Sequence, residues 1–544
     1  MATEHTLLRE ITGHIARNQL DQAARLCSLL TKQYPQNDAG WCAASVIACK
    51  TKAPERGLAC ADKAVSINAK DSNNWFARAN VLVALKQFDS ALIDAQKALA
   101  LNPNEAKFLD NAAGIASQTG HFDLAEKYYT EALTRSPANA RLHFNLGTIK
   151  RFLGRQGEAE ACFDRAIQYD PADYESYHLR SDVVTQTPQS NHVEQLSLLL
   201  ETPIADWRGE MKLCFALAKE LEDLKQFEDS FQYLERGANL RRRHMTYDVT
   251  TDERAIDDII ATYSEALFGN IEQGASTESP IFIVGLPRTG TTLVERILSS
   301  HTDVESLGEL NEFALELTRG VRRHGIPADR HHFIEMSSLM NFDDLGRAYL
   351  NSVSSRRGAE PRFIDKLPLN FLYCGLIHKA LPGAKIIHVT RGPMDACYAM
   401  YKRLFRDAYP MSYDLEDLGR YHLSYRSLMT HWHRLMPGAL HSVSYESLVE
   451  DLEGETRRLL SFCDLPWQPS CIEFHRNTAA STTASASQIR QPIYNSSVDK
   501  WKHYAEQLMP LSRLLEEGGV AIDETPDFGG LPDRESQVPT CGDA

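Results

Sequence analysis

One short segment carries residues whose types and spacing suit the binding of a phosphate group. Residues 280–293 read P-I-F-I-V-G-L-P-R-T-G-T-T-L, an apolar run, a glycine-containing turn and the start of an apolar helix. Residues 285–292 keep the G-x-x-x-x-G spacing of a nucleotide P-loop, with Thr291 where that loop has lysine. Backbone N–H groups, the positive helix end, two hydroxyls and the Arg288 guanidinium would hold one phosphate. An ordinary strand-turn-helix corner is the alternative.

The missing lysine argues against nucleoside triphosphate chemistry. In P-loop NTPases this lysine reaches the β- and γ-phosphates. A P-loop ATPase or kinase is therefore disfavoured, whereas binding of a single 5′-phosphate is compatible with the loop.

Four short apolar runs are predicted to be the strands that position this loop and three further polar residues. The runs are 281–284, 362–365, 385–390 and 440–444, and they lead into Arg288, Lys366, Arg391 and Tyr445. In an open parallel sheet the ligand lies at the carboxyl ends of the strands. Three cations and one aromatic ring at that edge predict an anionic ligand that contains a base. Taken singly, each cation could be an ordinary surface charge.

The N-terminal part of the chain repeats with a period of 34 residues. This spacing separates Ala64, Ala98, Ala132 and Ala166, and also Pro103, Pro137 and Pro171. Small residues where two helices touch and proline at the connector are typical of tetratricopeptide repeats, in which helix pairs stack on their neighbours. We expect helix pairs such as 73–85 with 90–101, in an all-α solenoid over roughly residues 5–180.

The chain is predicted to be multidomain. Its 544 residues exceed one ordinary core, and 43% of them are hydrophobic, which is enough to fill more than one. We assign residues 1–180 to the repeat array and 181–275 to a loop, a degenerate capping helix pair at 211–241 and a linker helix. Residues 276–523 are predicted to form a P-loop-like α/β domain with a mainly parallel sheet, and residues 524–544 a disordered tail.

Composition limits the classes of partner. A net charge of −15 argues against nucleic acid or an anionic membrane as the main partner. No apolar run approaches 18 residues, so no membrane span is expected, and the N-terminal residues lack the features of a signal peptide. The 11 cysteines are scattered without C-x-x-C pairs. We therefore expect reduced thiols in a cytoplasmic protein.

From residue 280 to about 510 the sequence resembles sulfotransferases of the tyrosylprotein-sulfotransferase-like group, and the whole chain resembles bacterial tetratricopeptide-repeat sulfotransferases. The family loop P-R-[ST]-G-T-T is matched by Pro287, Arg288, Thr289, Gly290, Thr291 and Thr292. The resemblance implies 3′-phosphoadenosine 5′-phosphosulfate (PAPS) as co-substrate, with its 5′-phosphosulfate on this loop. It further implies that Arg391 and Arg403 bind the 3′-phosphate, that Tyr445 lies near the adenine, and that Ser485 and Lys500 close the site.

The same resemblance implies the catalytic residues. The family's catalytic base corresponds to Glu309, and the lysine of its N/D-K-x-P turn corresponds to Lys366. Glu309 would take the proton of an acceptor hydroxyl, while Arg288, Lys366 and Ser485 would stabilise charge on the sulfuryl group and the leaving phosphate. Because a sulfuryl group carries less charge than a phosphoryl group, we expect no metal requirement. The alternative for Glu309 is an acid in the first turn of a helix, interacting with the helix dipole.

Several other polar residues are predicted to be structural. His301, which also has a family counterpart, is expected to shape a turn or to pack. The histidine pairs at 331–332 and 431–433 lack a third partner at metal-ligand spacing. The basic run at 241–244 is typical of a solvated helix end, with an acidic peptide as an alternative ligand.

One position departs from the family pattern and leaves alternatives open. The family usually has serine eight residues after the 3′-phosphate arginine, where this chain has Ala399. The leading hypothesis is a PAPS-dependent sulfotransferase that modifies a tyrosine of a peptide or protein presented by the repeats. A carbohydrate, lipid or small phenolic acceptor is a competitor, and so is a repeat scaffold with a degenerate catalytic domain. The array could instead serve rigidity or a homodimer.

Overall fold

The computed structural model describes residues 3–270, 272–274, 276–481, 490–493 and 497–523. It divides into two compact units. Residues 3–184 with 479–481 form the first, and the described residues of 185–478, 490–493 and 497–523 form the second. The predicted tail, 524–544, lies outside the described residues.

The first unit is an array of helix pairs. Within the repeats, helices of 13 residues alternate with helices of 14 residues. The helices are α1 (Glu4–Ala16), α2 (Leu20–Gln33), α3 (Asp38–Lys50), α4 (Pro54–Ile67), α5 (Ser72–Ala84), α6 (Phe88–Leu101), α7 (Ala106–Gln118), α8 (Phe122–Arg135), α9 (Ala140–Phe152), α10 (Gln156–Tyr169) and α11 (Tyr174–Val183).

The sequence period has a direct structural meaning in this array. The alanines spaced by it, Ala64, Ala98, Ala132 and Ala166, are all completely buried where helices touch. The prolines that share the period lie in the turns after α6, α8 and α10. Each pair buries its apolar face only by stacking on its neighbours, so the predicted all-α solenoid is confirmed.

The second unit begins with helices and continues as an α/β domain. Its elements are α12 (Val193–Glu201), α13 (Trp207–Asp223), α14 (Phe227–Arg243), α15 (Val249–Thr262), α16 (Glu265–Asn270), β1 (Ile281–Gly285), α17 (Thr291–Leu298), β2 (Val304–Ser306), α18 (Glu312–His324), α19 (Arg330–Ser337), α20 (Phe342–Val353), β3 (Arg362–Asp365), α21 (Cys374–Ala380), β4 (Lys385–Thr390), α22 (Pro393–Tyr401), α23 (Leu415–Leu435), β5 (Leu440–Ser444), α24 (Tyr445–Glu450), α25 (Leu452–Phe462) and α26 (Met509–Glu517).

Within the described residues the sheet has the order β2-β3-β1-β4-β5, and every ladder is parallel. All four predicted strands are present, with β1 one residue longer at Gly285. Strand β2 was not predicted, because only three residues form it and only Val304 is buried. The predicted parallel sheet is therefore confirmed, with one additional edge strand.

Apolar residues cover both faces of this sheet. Phe282 and Val284 of β1 pack into one core, and Ile281 and Ile283 pack into the other. Such two-sided burial explains why the strands read as continuous apolar runs. The helices α13 and α14, predicted to cap the repeats, contribute to the first of these cores, and Phe231 of α14 stacks 5.9 Å from Tyr401. They are thus an integral part of the second unit.

Membrane-spanning helices and disulfides are both absent from the residues that the structure describes. No helix among them is long and apolar enough to cross a membrane. No disulfide joins the cysteines that are described.

Candidate active site

The loop between β1 and α17 is shaped by two glycines that no other residue could replace without strain. Gly285 has φ 145°, and a Cβ there would lie 2.5 Å from the carbonyl oxygen of Val389 on β4. Gly290 has φ 106°, and a Cβ there would lie 3.0 Å from the ring of Tyr445. Both conformations are costly for residues with a side chain. The loop is therefore held closely against β4 and Tyr445.

The loop threonines have different environments. The Thr289 hydroxyl donates to the carbonyl oxygens of Leu286, at 2.8 Å, and Val389, at 3.3 Å. The hydroxyl is thus used to hold the loop against β4. Thr291 and Thr292 begin α17 and are buried, and Thr292 lines the adjacent cleft. Pro287 is buried beside them and does not line the cleft.

An open cleft lies beside this loop, and its empty volume of about 770 Å³ includes space that is open to solvent. Its walls come from the loop, α22, the start of α24 and the C-terminal segment. The lining residues are Arg288, Gly290, Thr292, Leu293, Arg391, Asp395, Tyr398, Ala399, Lys402, Tyr445, Phe474, Gln491, Pro492, Ile493, Ser497 and Lys500. Six of the sequence-predicted site residues are among them.

Arg391 stands at the centre of the cleft, directly after β4. Its Nη1 donates to the carbonyl oxygen of Arg288 at 3.1 Å, and its Nη2 donates to that of Ser497. The guanidinium lies 4.9 Å from the ring centre of Tyr445. Its Nε is buried and has no hydrogen-bond partner within the described part of the chain. Such a buried, unsatisfied donor is costly unless a ligand accepts from it.

Asp395 holds the C-terminal residues 499–501 at the cleft. Its Oδ2 accepts from the backbone N–H of Asp499 at 2.6 Å, and its Oδ1 accepts from that of Trp501 at 3.3 Å. These bonds hold Lys500 between them, and Lys500 lines the cleft. Sequence reasoning missed Asp395, because a carboxylate in an anion site was not expected.

A second acid, Glu222 of α13, was also missed. Its carboxylate accepts from Lys402 at 2.9 Å and from Lys500 at 2.5 Å. Lys402 lines the cleft, whereas its neighbour Arg403, the predicted 3′-phosphate ligand, is not among the lining residues. Lys402 directly follows the last residue of α22, so the turn after this helix places Lys402 at the cleft wall. No sequence signal could have joined Glu222 to this site, because it lies in a separate helical segment.

Glu309 and Lys366 form an ion pair at the same edge of the sheet. Lys366 Nζ donates to Glu309 Oε1 and lies 3.8 Å from Oε2 of Glu295. The Lys366 side chain is 1% exposed and that of Glu309 is 46% exposed. The carboxylate thus reaches solvent while its cation is buried. The alternative position for Glu309, in the first turn of a helix, is wrong, because α18 begins only at Glu312.

The β2–β3 ladder produces this pair. Ser306 is paired with Ile364, and the backbone continues alongside β3, with Lys366 N–H donating to the Gly308 carbonyl at 2.9 Å. Asp365, directly before the lysine, is completely buried and accepts from the Tyr349 hydroxyl at 2.9 Å. Burial raises the pKa of Asp365 to about 8.

The other candidates take structural positions or lie outside the described residues. Both ring nitrogens of His301 contact backbone, with Nε2 at 3.0 Å from the Pro466 carbonyl and Nδ1 accepting from Asp303 N–H at 3.1 Å. Ser485 lies outside the described residues. Among those described, no three His, Cys, Asp or Glu side chains form a metal-ligand group.

The basic run at the end of α14 is used within the second unit. Arg242 donates to Asp417 at 2.9 Å and to the Tyr247 carbonyl at 3.1 Å. Arg241 donates to the Arg406 carbonyl. Arg241 and Arg242 thus contact other parts of the second unit, whereas Arg243 and His244 are exposed, as expected of a solvated helix end.

Comparison with known proteins gives the same division of the chain. Residues 280–469 match the model of a sulfotransferase family, and residues 72–105, 106–139 and 140–173 match models of the tetratricopeptide repeat. A thermophilic tetratricopeptide-repeat protein of Thermus thermophilus, known from its crystal structure, is 19% identical. That likeness covers 33% of this chain and 98% of that chain, with a TM-score of 0.31.

Curated relatives are similar to this chain over part of its length. An uncharacterized protein of Aquifex aeolicus is 31% identical over 341 residues, which is 61% of this chain and 45% of that protein. The chain thus spans about half the length of this relative. A putative protein-tyrosine sulfotransferase of Caenorhabditis briggsae is 27% identical over 233 residues, 41% of this chain and 81% of the relative.

Proposed function

Because this chain joins a sulfotransferase-family domain to tetratricopeptide repeats, we propose that it transfers a sulfuryl group from PAPS to an acceptor hydroxyl. The acceptor we propose is a tyrosine of a peptide or protein. The observation that carries the proposal is the Lys366–Glu309 hydrogen bond at the sheet edge where β4 also delivers Arg391. An accessible carboxylate and a buried cation therefore lie at the same edge as a cleft suited to an anion.

The residues of the cleft fit the donor. The unpartnered Arg391 Nε and the ammonium of Lys500 supply donors for a 3′-phosphate. The backbone of residues 285–292 and the N-terminus of α17 suit the 5′-phosphosulfate. Tyr445, packed against Gly290, offers an aromatic ring beside the loop. When bound, PAPS supplies the activated sulfuryl group. The chain's own residues bind the two phosphates and accept the proton of the acceptor hydroxyl.

The ion pair supports a proton transfer during the reaction. Glu309 accepts the proton of the acceptor hydroxyl as its oxygen forms a bond to sulfur. The bond between sulfur and the bridging oxygen of the 5′-phosphate breaks, and adenosine 3′,5′-bisphosphate leaves. Protonation of Glu309 removes the charge that holds Lys366, so the ammonium becomes available to the charge developing on the transferring group.

Two separate observations support the proposal that the acceptor is a tyrosine. One relative of the domain carries the name putative protein-tyrosine sulfotransferase. The attached repeats belong to a class of array with extended concave binding surfaces, which suits a peptide or protein. A carbohydrate, a lipid or a small phenol would use the same base and the same donor site.

The test is to incubate the full chain with PAPS labelled in its sulfuryl group and a lysate of the source cell. We expect the label on protein, in an acid-labile tyrosine ester. Label on a glycan or lipid would overturn the tyrosine acceptor and keep the reaction type. No transfer to any species, with donor bound, would favour a repeat scaffold with a degenerate catalytic domain.

A further inference from the structure

We infer that Lys402 binds the 3′-phosphate of the donor together with Arg391 and Lys500, and that Glu222 of α13 positions the two lysines. The inference rests on the proposed function, because it assigns residues to the donor site. It extends that site beyond the sulfotransferase-family match, since Glu222 precedes residue 280.

The contacts of Glu222 are those of a positioning residue. Lys402 Nζ lies 2.9 Å from its Oε1 and 3.3 Å from its Oε2, and Lys500 Nζ lies 2.5 Å from its Oε1. The hydroxyls of Tyr398 and Tyr504 donate to Oε2 at 2.5 Å and 3.2 Å. The Glu222 side chain is 8% exposed and is absent from the described lining of the cleft, whereas both lysines line it. The carboxylate therefore lies behind the ammonium groups.

The charges around the cleft leave a surplus for an anion. Arg288, Arg391, Lys402 and Lys500 are four cations, and Glu222 and Asp395 are two carboxylates. The side chains of Lys402 and Lys500 are 27% and 30% exposed. Two ammonium groups this close repel each other, and the shared carboxylate of Glu222 offsets that repulsion. A phosphate that enters the cleft meets both lysines from the open side.

Lys402 also accounts for the missing hydroxyl at position 399. Ala399 lies in α22, and Lys402 follows three positions later, directly after the last residue of that helix. Both line the cleft. An ammonium group that reaches the space beside Ala399 can donate to the phosphate that a serine hydroxyl would otherwise contact. The departure at Ala399 is thus compensated by a charged donor.

A pH dependence follows from this geometry. Burial lowers the pKa of Lys402 to about 8, with Lys500 and Arg391 acting in the same direction and Glu222 opposing them. The facing phenols, Tyr398 and Tyr504, stay neutral, because burial raises the pKa of each. Only the protonated lysine donates to phosphate, so affinity should fall as pH rises through about 8. Loss of the Glu222 charge should move that fall to lower pH.

The test compares two ligands on the full chain by calorimetry. Adenosine 3′,5′-bisphosphate carries the 3′-phosphate, and adenosine 5′-monophosphate lacks it. We expect Lys402→Met to raise the Kd of the bisphosphate about 10-fold or more and to leave the Kd of the monophosphate within about 2-fold. Lys402→Arg should restore most of the affinity. The control is Lys127→Met, which removes an exposed lysine of the first unit.

The outcomes separate this inference from the proposed function. Equal weakening of both ligands by Lys402→Met would mean a structural role, and no weakening of either would mean no role; both overturn the inference alone. Failure of the parent chain to bind either ligand would overturn the proposed function and the inference with it. In Glu222→Gln, the fall in bisphosphate affinity should begin about one pH unit or more lower than in the parent. An unshifted pH profile would show that Glu222 does not position Lys402.

Discussion

The ammonium of Lys366 donates a hydrogen bond to Oε1 of Glu309, although 57 positions of chain separate the two residues. The short ladder between β2 and β3 brings them together, and it does so at the carboxyl edge of the sheet. A base whose partner is a buried cation couples two events, because the proton that neutralises the carboxylate also releases the cation. This coupling is the centre of the proposed mechanism.

Replacement of Lys366 by methionine should impair the chemical step and spare donor binding. Methionine fills the buried space without a charge, so the fold has little to lose. Loss of one charge-stabilising group at a transition state typically costs about 100- to 1,000-fold in rate. We expect kcat to fall by that order, with the Kd of adenosine 3′,5′-bisphosphate within about 2-fold of the parent.

A matched control exists in Lys379→Met. Lys379 is also buried, lies 4.5 Å from the ring centre of Phe268, and is absent from the described lining of the cleft. Its replacement should leave kcat near the parent value. Similar losses in both variants would show that the effect of Lys366→Met is a general one of removing a buried lysine.

Gly285→Ala should destabilise the second unit through the phosphate loop. The new Cβ would lie 2.5 Å from a carbonyl oxygen of β4, at a φ of 145°. We expect the free energy of unfolding to fall by about 1–3 kcal/mol, measured by urea denaturation. Gly269→Ala, on the exposed side of α16 with no atom within 4 Å of the new Cβ, should change it by less than about 1 kcal/mol. Equal effects would contradict the close approach of the loop to β4.

The buried Asp365 should make stability depend on pH. Burial raises its folded-state pKa to about 8, above its ordinary value near 3.8. Between these two values the folded protein holds a proton that the unfolded chain releases, so stability falls as pH rises towards 8. Asp365→Asn cannot lose this proton. Its advantage over the parent should therefore grow from about pH 4 to about pH 8 in denaturation midpoints, and parallel curves would contradict the buried acid.

Ala399→Ser should act differently in two backgrounds. In the parent chain Lys402 already offers a donor beside position 399, so the added hydroxyl should change bisphosphate affinity little. In Lys402→Met the same hydroxyl should tighten binding by about 10-fold. A double-mutant cycle measured by calorimetry gives the coupling. Additive effects would show that the two side chains do not serve the same phosphate.

The sequence predicted the parts of this molecule that repeat or that lie within one segment. The 34-residue period located the helix pairs, and the apolar runs located β1, β3, β4 and β5. Gly290, Thr292 and Arg391 were predicted as site residues because each belongs to a contiguous motif, and all three line the cleft. Glu222 and Lys402 were missed, because their contact joins residues 180 positions apart in the chain. Strand β2 was missed because one buried residue gives no alternation.

The contact between Lys366 and Glu309 was not predicted, because the resemblance implied only a separate catalytic role for each residue. The two positions carry no shared pattern, and only the register of β2 on β3 decides whether their side chains meet. Register depends on pairing across the sheet, which a single sequence does not encode locally.

The most direct measurement of the central claim is sulfuryl transfer by Glu309→Gln, made alongside the binding of adenosine 3′,5′-bisphosphate. Glutamine keeps the shape and cannot accept the proton, so transfer from labelled PAPS should fall by about 100-fold or more while the Kd is unchanged. Glu335→Gln, at an exposed glutamate of α19, should retain full transfer. Transfer by Glu309→Gln at the parent rate would contradict the assignment of Glu309 as the base.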